Sequence, residues 1–205
     1  MTKTWILAVV TVLGLVGCAG PASRPPIPIG TARAAADFES YDLRRVGVMP
    51  PQGDGLDPDF VLALRDALAG AFAAETSYEL LPLGAAELES VGTLDPVRTG
   101  KTRPEAILEV ARRTGLDGLL TARVVDLRPY EPVRLGIEVD LIAVETGLVI
   151  WSSQVRVDTG DSHTLESIAA WQGSTRAGGE AERAVDLLSP RRLGEFAAAQ
   201  VAMLL

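Results

Sequence analysis

Residues 135–143 read LGIEVDLIA, and this stretch decides the fold. Its odd-numbered positions are all apolar, whereas Gly136, Glu138 and Asp140 occupy even-numbered positions. Such alternation is typical of a strand with one buried face and one solvated face. We predict that residues 118–158 form a three-stranded antiparallel meander with this strand at its centre. The rest of the chain is then expected to cover the apolar face of the meander.

The sequence Glu145-Thr146-Gly147 after the central strand predicts a three-residue hairpin loop, with Gly147 in the left-handed conformation. The resulting register pairs Val144 with Leu148, Leu141 with Trp151, Ile137 with Val155, Asp140 with Ser152 and Glu138 with Gln154. Apolar residues meet apolar residues and polar residues meet polar ones, which favours this register.

Two strand–helix units precede the meander. A strand at residues 45–51 ends in two prolines, and Asp57-Pro58-Asp59 is typical of a helix start. Pro82 places the second strand, residues 78–83, at a sheet edge. A second helix ends at Gly115, and further helices are predicted at residues 165–172 and after Ser189.

The predicted class is therefore α+β, or mixed α/β. The elements form a βαβαβββ mixed sheet of order 2-1-3-4-5, with right-handed parallel crossovers. We expect helices on one face of this sheet, followed by C-terminal helices.

The first 40 residues predict a targeting segment followed by a tether. Residues 1–17 carry Lys3 and an apolar run that is too short to span a bilayer, which is typical of a signal peptide. Residues 18–40 are rich in Pro, Ala and Gly, so we expect no stable structure before Tyr41. Residues 41–205 are predicted to form one α/β domain, with a sheet core at 41–158 and a mobile loop and C-terminal helices at 159–205.

The signal segment ends Leu15-Val16-Gly17-Cys18, which resembles the bacterial lipobox. In that motif a small residue precedes a cysteine that is acylated and becomes the mature N-terminus. The alternative is an ordinary secretory signal with an incidental cysteine. Lipidation is favoured because the only cysteine of the chain falls where a signal peptidase would cut.

Composition excludes several classes of function. The formal net charge is −8, which argues against nucleic-acid binding and against electrostatic attachment to anionic lipid. One cysteine and one histidine leave no ligand set for a zinc or transition-metal site, so we expect no metal and no cofactor.

Candidate catalytic groups are few. Glu138 and Asp140 share the solvated face of the central strand, with Arg123, Arg134 and Arg156 expected nearby. We interpret these charges as a solvated sheet face with cross-strand pairs. His163 is predicted to lie in a surface loop, and the two serines at 152–153 lack a nucleophile elbow. We predict no catalytic residue, and take Glu138, Asp140 and Gln154 as the candidate partner surface.

Three phrases carry a family resemblance: RVGVMP at 45–50, ARRTGLDGLL at 111–120 and ETGLVIWS at 145–152. With the lipobox and the order of elements, they are similar to two groups of bacterial envelope lipoproteins, the curli-secretion-channel family and the lipoprotein activators of penicillin-binding proteins. The channel members carry added membrane hairpins, for which connections 129–132 and 145–147 have no room. The activators carry a long tether, whereas this tether is short.

The expected function is that of a lipid-anchored, non-enzymatic binding or assembly lipoprotein of the bacterial cell envelope. Its N-terminal lipid would hold it in a membrane, and its partner would be an envelope protein of the same membrane. Ala19 carries no inner-membrane retention acid, which by resemblance favours the periplasmic face of the outer membrane. Two alternatives remain: an accessory subunit of an envelope transport or secretion machine, and a hydrolase with an unrecognised site.

Overall fold

A computed structural model of the chain describes residues 27–84, 87, 104–175 and 189–205. The strands are β1 (Gly30–Ala34), β2 (Arg45–Val48), β3 (Glu79–Pro82), β4 (Gly118–Arg128), β5 (Arg134–Ala143) and β6 (Val149–Asp158). The helices are α1 (Pro58–Glu75), α2 (Pro104–Thr114), α3 (Ser162–Thr175) and α4 (Pro190–Ala202). The predicted signal peptide, the lipobox and Cys18 lie outside the described residues.

The six strands form one mixed sheet in the order β1-β6-β5-β4-β2-β3. Strand β2 pairs in parallel with β3 and β4, and the remaining pairs are antiparallel. The predicted mixed α+β class is confirmed. The five predicted strands also lie in the predicted order, with β1 as an additional strand at the edge beyond β6.

The meander has the predicted register over most of its length. Leu141 lies opposite Trp151, Ile137 opposite Val155, Asp140 opposite Ser152 and Glu138 opposite Gln154. The predicted pairing of Val144 with Leu148 is wrong, because a bulge after Leu141 shifts the register by one residue. As a result the Ala143 N–H donates to the carbonyl of Leu148 (2.9 Å), and the Val144 N–H donates to that of Asp117 (2.9 Å).

Helices cover both faces of the sheet, so the expectation of helices on one face is wrong. Helices α1, α3 and α4 pack with Leu120 of β4 in one core cluster. Val110 and Ala111 of α2 pack with Leu119, the preceding residue, in a second cluster on the other face. The β2-to-β3 and β3-to-β4 crossovers run in opposite directions across the sheet. Two right-handed crossovers of opposite direction place their helices on opposite faces.

Strand β1 corrects the predicted tether. Residues 30–34 pair antiparallel with β6, inside the stretch in which no stable structure was expected. A Cβ added to Gly30 would lie 2.6 Å from Val155 Cγ2, so the missing side chain allows the close approach of β1. The small residues of this stretch gave no hydrophobic pattern in the sequence, but their size lets β1 pack closely against the edge strand β6. No described helix is long and apolar enough to cross a bilayer.

Candidate partner-binding face

The side of the meander and β1 that faces away from α1, α3 and α4 is polar, and we call it the polar face. Its side chains come from alternating positions of four strands: Thr31, Arg33, Thr121, Arg123, Glu138, Asp140, Ser152, Gln154 and Arg156. Within the described residues, helix α2 covers this side of the sheet around Leu119, the neighbouring β2 and β3, and the end of β5 at Ile142 and Val144. The alternation that buries Leu141 completely therefore also builds the polar face.

The structure brings the three predicted surface residues together. Glu138 and Asp140 occupy neighbouring outward positions of β5, about 7 Å apart along the strand. Gln154 lies directly opposite Glu138, on β6. These residues border a depression of about 330 Å³. The full lining is Thr31, Ala32, Arg33, Glu138, Asp140, Ser152, Ser153 and Gln154.

Strand β1 forms one wall of this depression, and sequence reasoning missed it. Thr31 and Arg33 lie opposite Gln154 and Ser152, on the outward side of the edge strand. The available signal was the alternation of polar Thr31 and Arg33 with the small residues Ala32 and Ala34. Alanine carries little hydrophobic weight, so this alternation is weak in a sequence.

Asp140 is the electrostatically unusual group of the polar face. Partial burial raises the pKa of its carboxyl group, and the nearby charge of Glu138 raises it further. Arg123 opposes both effects, without reversing them. Asp140 therefore carries its neutral-pH charge in a setting that disfavours it.

The polar side chains of the depression are not used to hold the fold. Among the described residues, Glu138, Asp140 and Gln154 make no side-chain hydrogen bond or ion pair. By contrast, Arg134 at the end of β5 is paired with Asp158, with Nε and Oδ2 2.8 Å apart. Within the part of the chain that the structure describes, the side chains of Glu138, Asp140 and Gln154 are therefore available to contact another molecule.

The other catalytic candidates do not join this site. His163 was predicted to lie in a surface loop, but it lies in the first turn of α3, which starts earlier than predicted. Ile168 of this helix packs in the core on the opposite side of the sheet. The neighbouring Asp161 accepts hydrogen bonds from the backbone and hydroxyl of Thr164 (both 2.9 Å), which fixes the start of that helix. Within the described residues, no group of three His, Cys, Asp or Glu side chains is placed to hold a metal ion.

A second depression, of about 300 Å³, lies at the end of the meander beside Asp117 and Glu145. The Asp117 carboxylate accepts hydrogen bonds from the backbone N–H groups of Arg44 (3.1 Å) and Arg45 (2.9 Å). This side chain therefore fixes the start of β2, and its role is structural.

No family model and no curated protein matches the chain. Several solved structures do. This chain is similar to three bacterial proteins. Lipoprotein GNA1162 from Neisseria meningitidis is 16% identical, with a TM-score of 0.46 over 65% of this chain and 99% of that one. A PelC dodecamer from Paraburkholderia phytofirmans is 19% identical, with a TM-score of 0.43 over 67% of this chain and 89% of that one. LpoB from E. coli is 14% identical, with a TM-score of 0.37 over 76% of this chain and 84% of that one. These neighbours match the resemblance predicted from the sequence.

Proposed function

We propose that this chain is a lipid-anchored, non-enzymatic binding or assembly lipoprotein of the bacterial cell envelope. Cys18 carries the lipid, and the polar face around Glu138, Asp140 and Gln154 contacts an envelope protein held in the same membrane. By the identity of Ala19, that membrane is the outer membrane and the protein lies on its periplasmic side.

The main support for a binding role is that the polar side chains Glu138, Asp140 and Gln154, at the depression, make no hydrogen bond or ion pair with a described residue. Folded proteins ordinarily use partly buried carboxylates in hydrogen bonds or ion pairs. Asp140 instead has a raised pKa and makes neither with a described residue. A partner that donates hydrogen bonds or a positive charge would supply what the fold leaves out.

We propose no catalytic role for the polar face. Glu138 and Asp140 lie in a wide, open depression lined by hydroxyl, amide and guanidinium groups. General acid–base catalysis needs a proton donor or acceptor held against a bound substrate, and an enclosed site that excludes water. A shallow polar surface suits protein recognition better.

Acylation is tested on the protein extracted from membranes. Mass spectrometry of the N-terminal peptide is expected to show residues 1–17 removed and Cys18 carrying the lipid mass. A soluble protein with an unmodified thiol at Cys18 would contradict the anchor.

Partner binding is tested with photocrosslinking residues placed at Glu138 and Gln154 in cells. Leu62 is the control position, because it is exposed on α1, on the side of the sheet that α1, α3 and α4 cover. The first two positions are expected to capture the same membrane protein, and position 62 is not. Capture that is equal from all three positions would show that the polar face is not the contact surface.

A further inference from the structure

Ile27, the first residue that the structure describes, is held on the domain by a buried hydrogen-bond network. Ser167 Oγ donates a hydrogen bond to the Ile27 carbonyl (2.5 Å), and the Ile29 N–H donates to Gln200 Oε1 (2.9 Å). Gln200 Nε2 in turn donates to Ser167 Oγ (3.2 Å). Ser167 and Gln200 are both fully buried, on α3 and α4 respectively. Buried polar bonds of this kind are costly to break, so Ile27 is held on the domain.

Ile27 lies towards one end of the sheet, which we call the proximal end. Gly30 pairs with Val155, so the residues before Gly30 lie towards the carboxyl end of β6. The pairs Arg128 with Arg134 and Arg134 with Asp158 place the 129–133 connection at that same end. The turn at 144–148 lies at the other end of β5 and β6, on the order of 30 Å away for strands of ten residues.

The reach of the anchor is at most about the length of the sheet. Eight residues, 19–26, separate Cys18 from Ile27. At about 3.6 Å per residue, this stretch spans at most about 32 Å in any conformation. A domain standing with its proximal end away from the membrane would need this stretch almost fully extended, which costs conformational entropy. Acylation of Cys18 therefore brings the proximal end towards the bilayer.

The proximal end also carries the side chain best suited to a lipid surface. Tyr130, in the 129–133 connection, is 74% exposed. The exposed apolar side chains at the other end of the meander, Leu148 (61%) and Val149 (50%), are aliphatic and carry no hydroxyl for the hydrated headgroup level. Leu165, in the first turns of α3 after β6, is 42% exposed. Tyrosine is enriched at the headgroup level of membranes, where its ring is buried and its hydroxyl hydrated. Arg128 and Glu131 beside it offset each other in charge, so the contact does not depend on anionic lipid.

We propose that the proximal end docks on the bilayer that holds Cys18, with Tyr130 at the level of the lipid headgroups. The inference rests on the proposed acylation of Cys18. In this orientation the strands run roughly along the membrane normal, and the 144–148 turn points away from the lipid. The polar face then stands upright at the membrane surface, open to a partner in the same bilayer.

The test uses the full acylated protein with one added cysteine, Arg128→Cys at the proximal end or Thr146→Cys at the distal turn. Both positions are exposed. In the mature protein the Cys18 sulfur is blocked by the lipid, so each added thiol is labelled alone with an environment-sensitive fluorophore. The proteins are placed in phosphatidylethanolamine–phosphatidylglycerol vesicles that contain headgroup nitroxide lipids as quenchers.

Quenching is expected to be several-fold stronger at position 128 than at position 146. Adding Tyr130→Ser is expected to lower the quenching at 128, while the protein still floats with the vesicles through its lipid. Equal quenching at both positions, or stronger quenching at 146, would overturn the docking although the anchor is intact. A protein that fails to float with vesicles would overturn the acylation of Cys18 and the docking with it, and flotation alone separates this outcome from the others.

Discussion

Asp140 shows how one residue can be placed at a cost to the fold. Burial and the Glu138 charge raise its pKa above that of an unfolded chain. A carboxyl with a raised folded-state pKa binds more protons when folded, so stability falls as pH rises from the unfolded pKa through the folded one. Above that window, the Asp140 charge destabilises the domain relative to a neutral side chain. Natural proteins tolerate such groups most often where binding needs them.

We expect Asp140→Asn to raise the melting temperature by a few degrees near pH 7 and to leave it unchanged at about pH 3, where the aspartate is also neutral. The same substitution is expected to weaken crosslinking from Gln154 to the partner. Calorimetry at both pH values and the crosslinking yield check the two effects. A variant that is less stable at neutral pH would show that the Asp140 charge supports the fold.

Among the elements, β1 depends on a single close approach. A Cβ on Gly30 would meet Val155 Cγ2 at 2.6 Å, the Gln154 carbonyl oxygen at 2.8 Å and Leu204 Cδ1 at 2.8 Å. Backbone oxygen cannot move aside as a flexible side chain can, so the strand has to shift. Gly70, which is exposed on α1, is the matched control position, because a Cβ added there meets no atom within 4 Å.

We therefore expect Gly30→Ala to destabilise the domain by about 1–3 kcal/mol and to speed hydrogen exchange in β1. Gly70→Ala is expected to stabilise it by about 0.5–1 kcal/mol, since alanine favours a helix over glycine. Denaturant unfolding gives both free energies. If Gly30→Ala left both the free energy and the exchange of β1 unchanged, the close packing of β1 on β6 would be refuted.

The elements with a strong local signal were predictable. Asp57 caps α1 as predicted, and its Oδ1 accepts hydrogen bonds from the N–H groups of Asp59 (2.9 Å) and Phe60 (3.1 Å). Gly115 and Gly147 have the expected positive φ, of 64° and 72°. These features depend on residues a few positions apart, which a sequence displays directly.

The features that were missed depend on distant contacts. Strand β1 is stabilised by pairing with β6, more than a hundred residues later, and its alanines carry almost no hydrophobic pattern. The bulge after Leu141 accompanies a bond from the Val144 N–H to the Asp117 carbonyl, 27 residues earlier in the chain, and turn rules do not include such a contact. The predicted strand order contains two parallel crossovers of opposite direction, and right-handed crossovers of this kind place their helices on opposite faces of the sheet. The expectation of helices on one face was therefore inconsistent with the predicted strand order.

At the scale of the whole molecule, the first residues of the domain close the sheet edge and satisfy buried polar groups. β1 covers the edge of β6, and the backbone of Ile27 and Ile29 bonds to Ser167 and Gln200. A chain that begins at residue 41 would lose both. It would expose the edge of β6 along the five residues that pair with β1, and leave two fully buried side chains without these partners.

We expect a soluble chain of residues 27–205 to melt about 5–10 °C above one of residues 41–205, because each buried polar group left unsatisfied costs about 1–3 kcal/mol. The shorter chain is also expected to associate through the open β6 edge, which light scattering would detect. A chain of residues 27–205 with Gln200→Leu separates the two effects: it keeps β1 over the edge but removes the bond to Ile29, so it should lose stability and remain monomeric. Equal melting temperatures for the 27–205 and 41–205 chains would show that residues 27–40 do not stabilise the domain. These residues would then be part of the tether, and the domain could lie farther from the membrane.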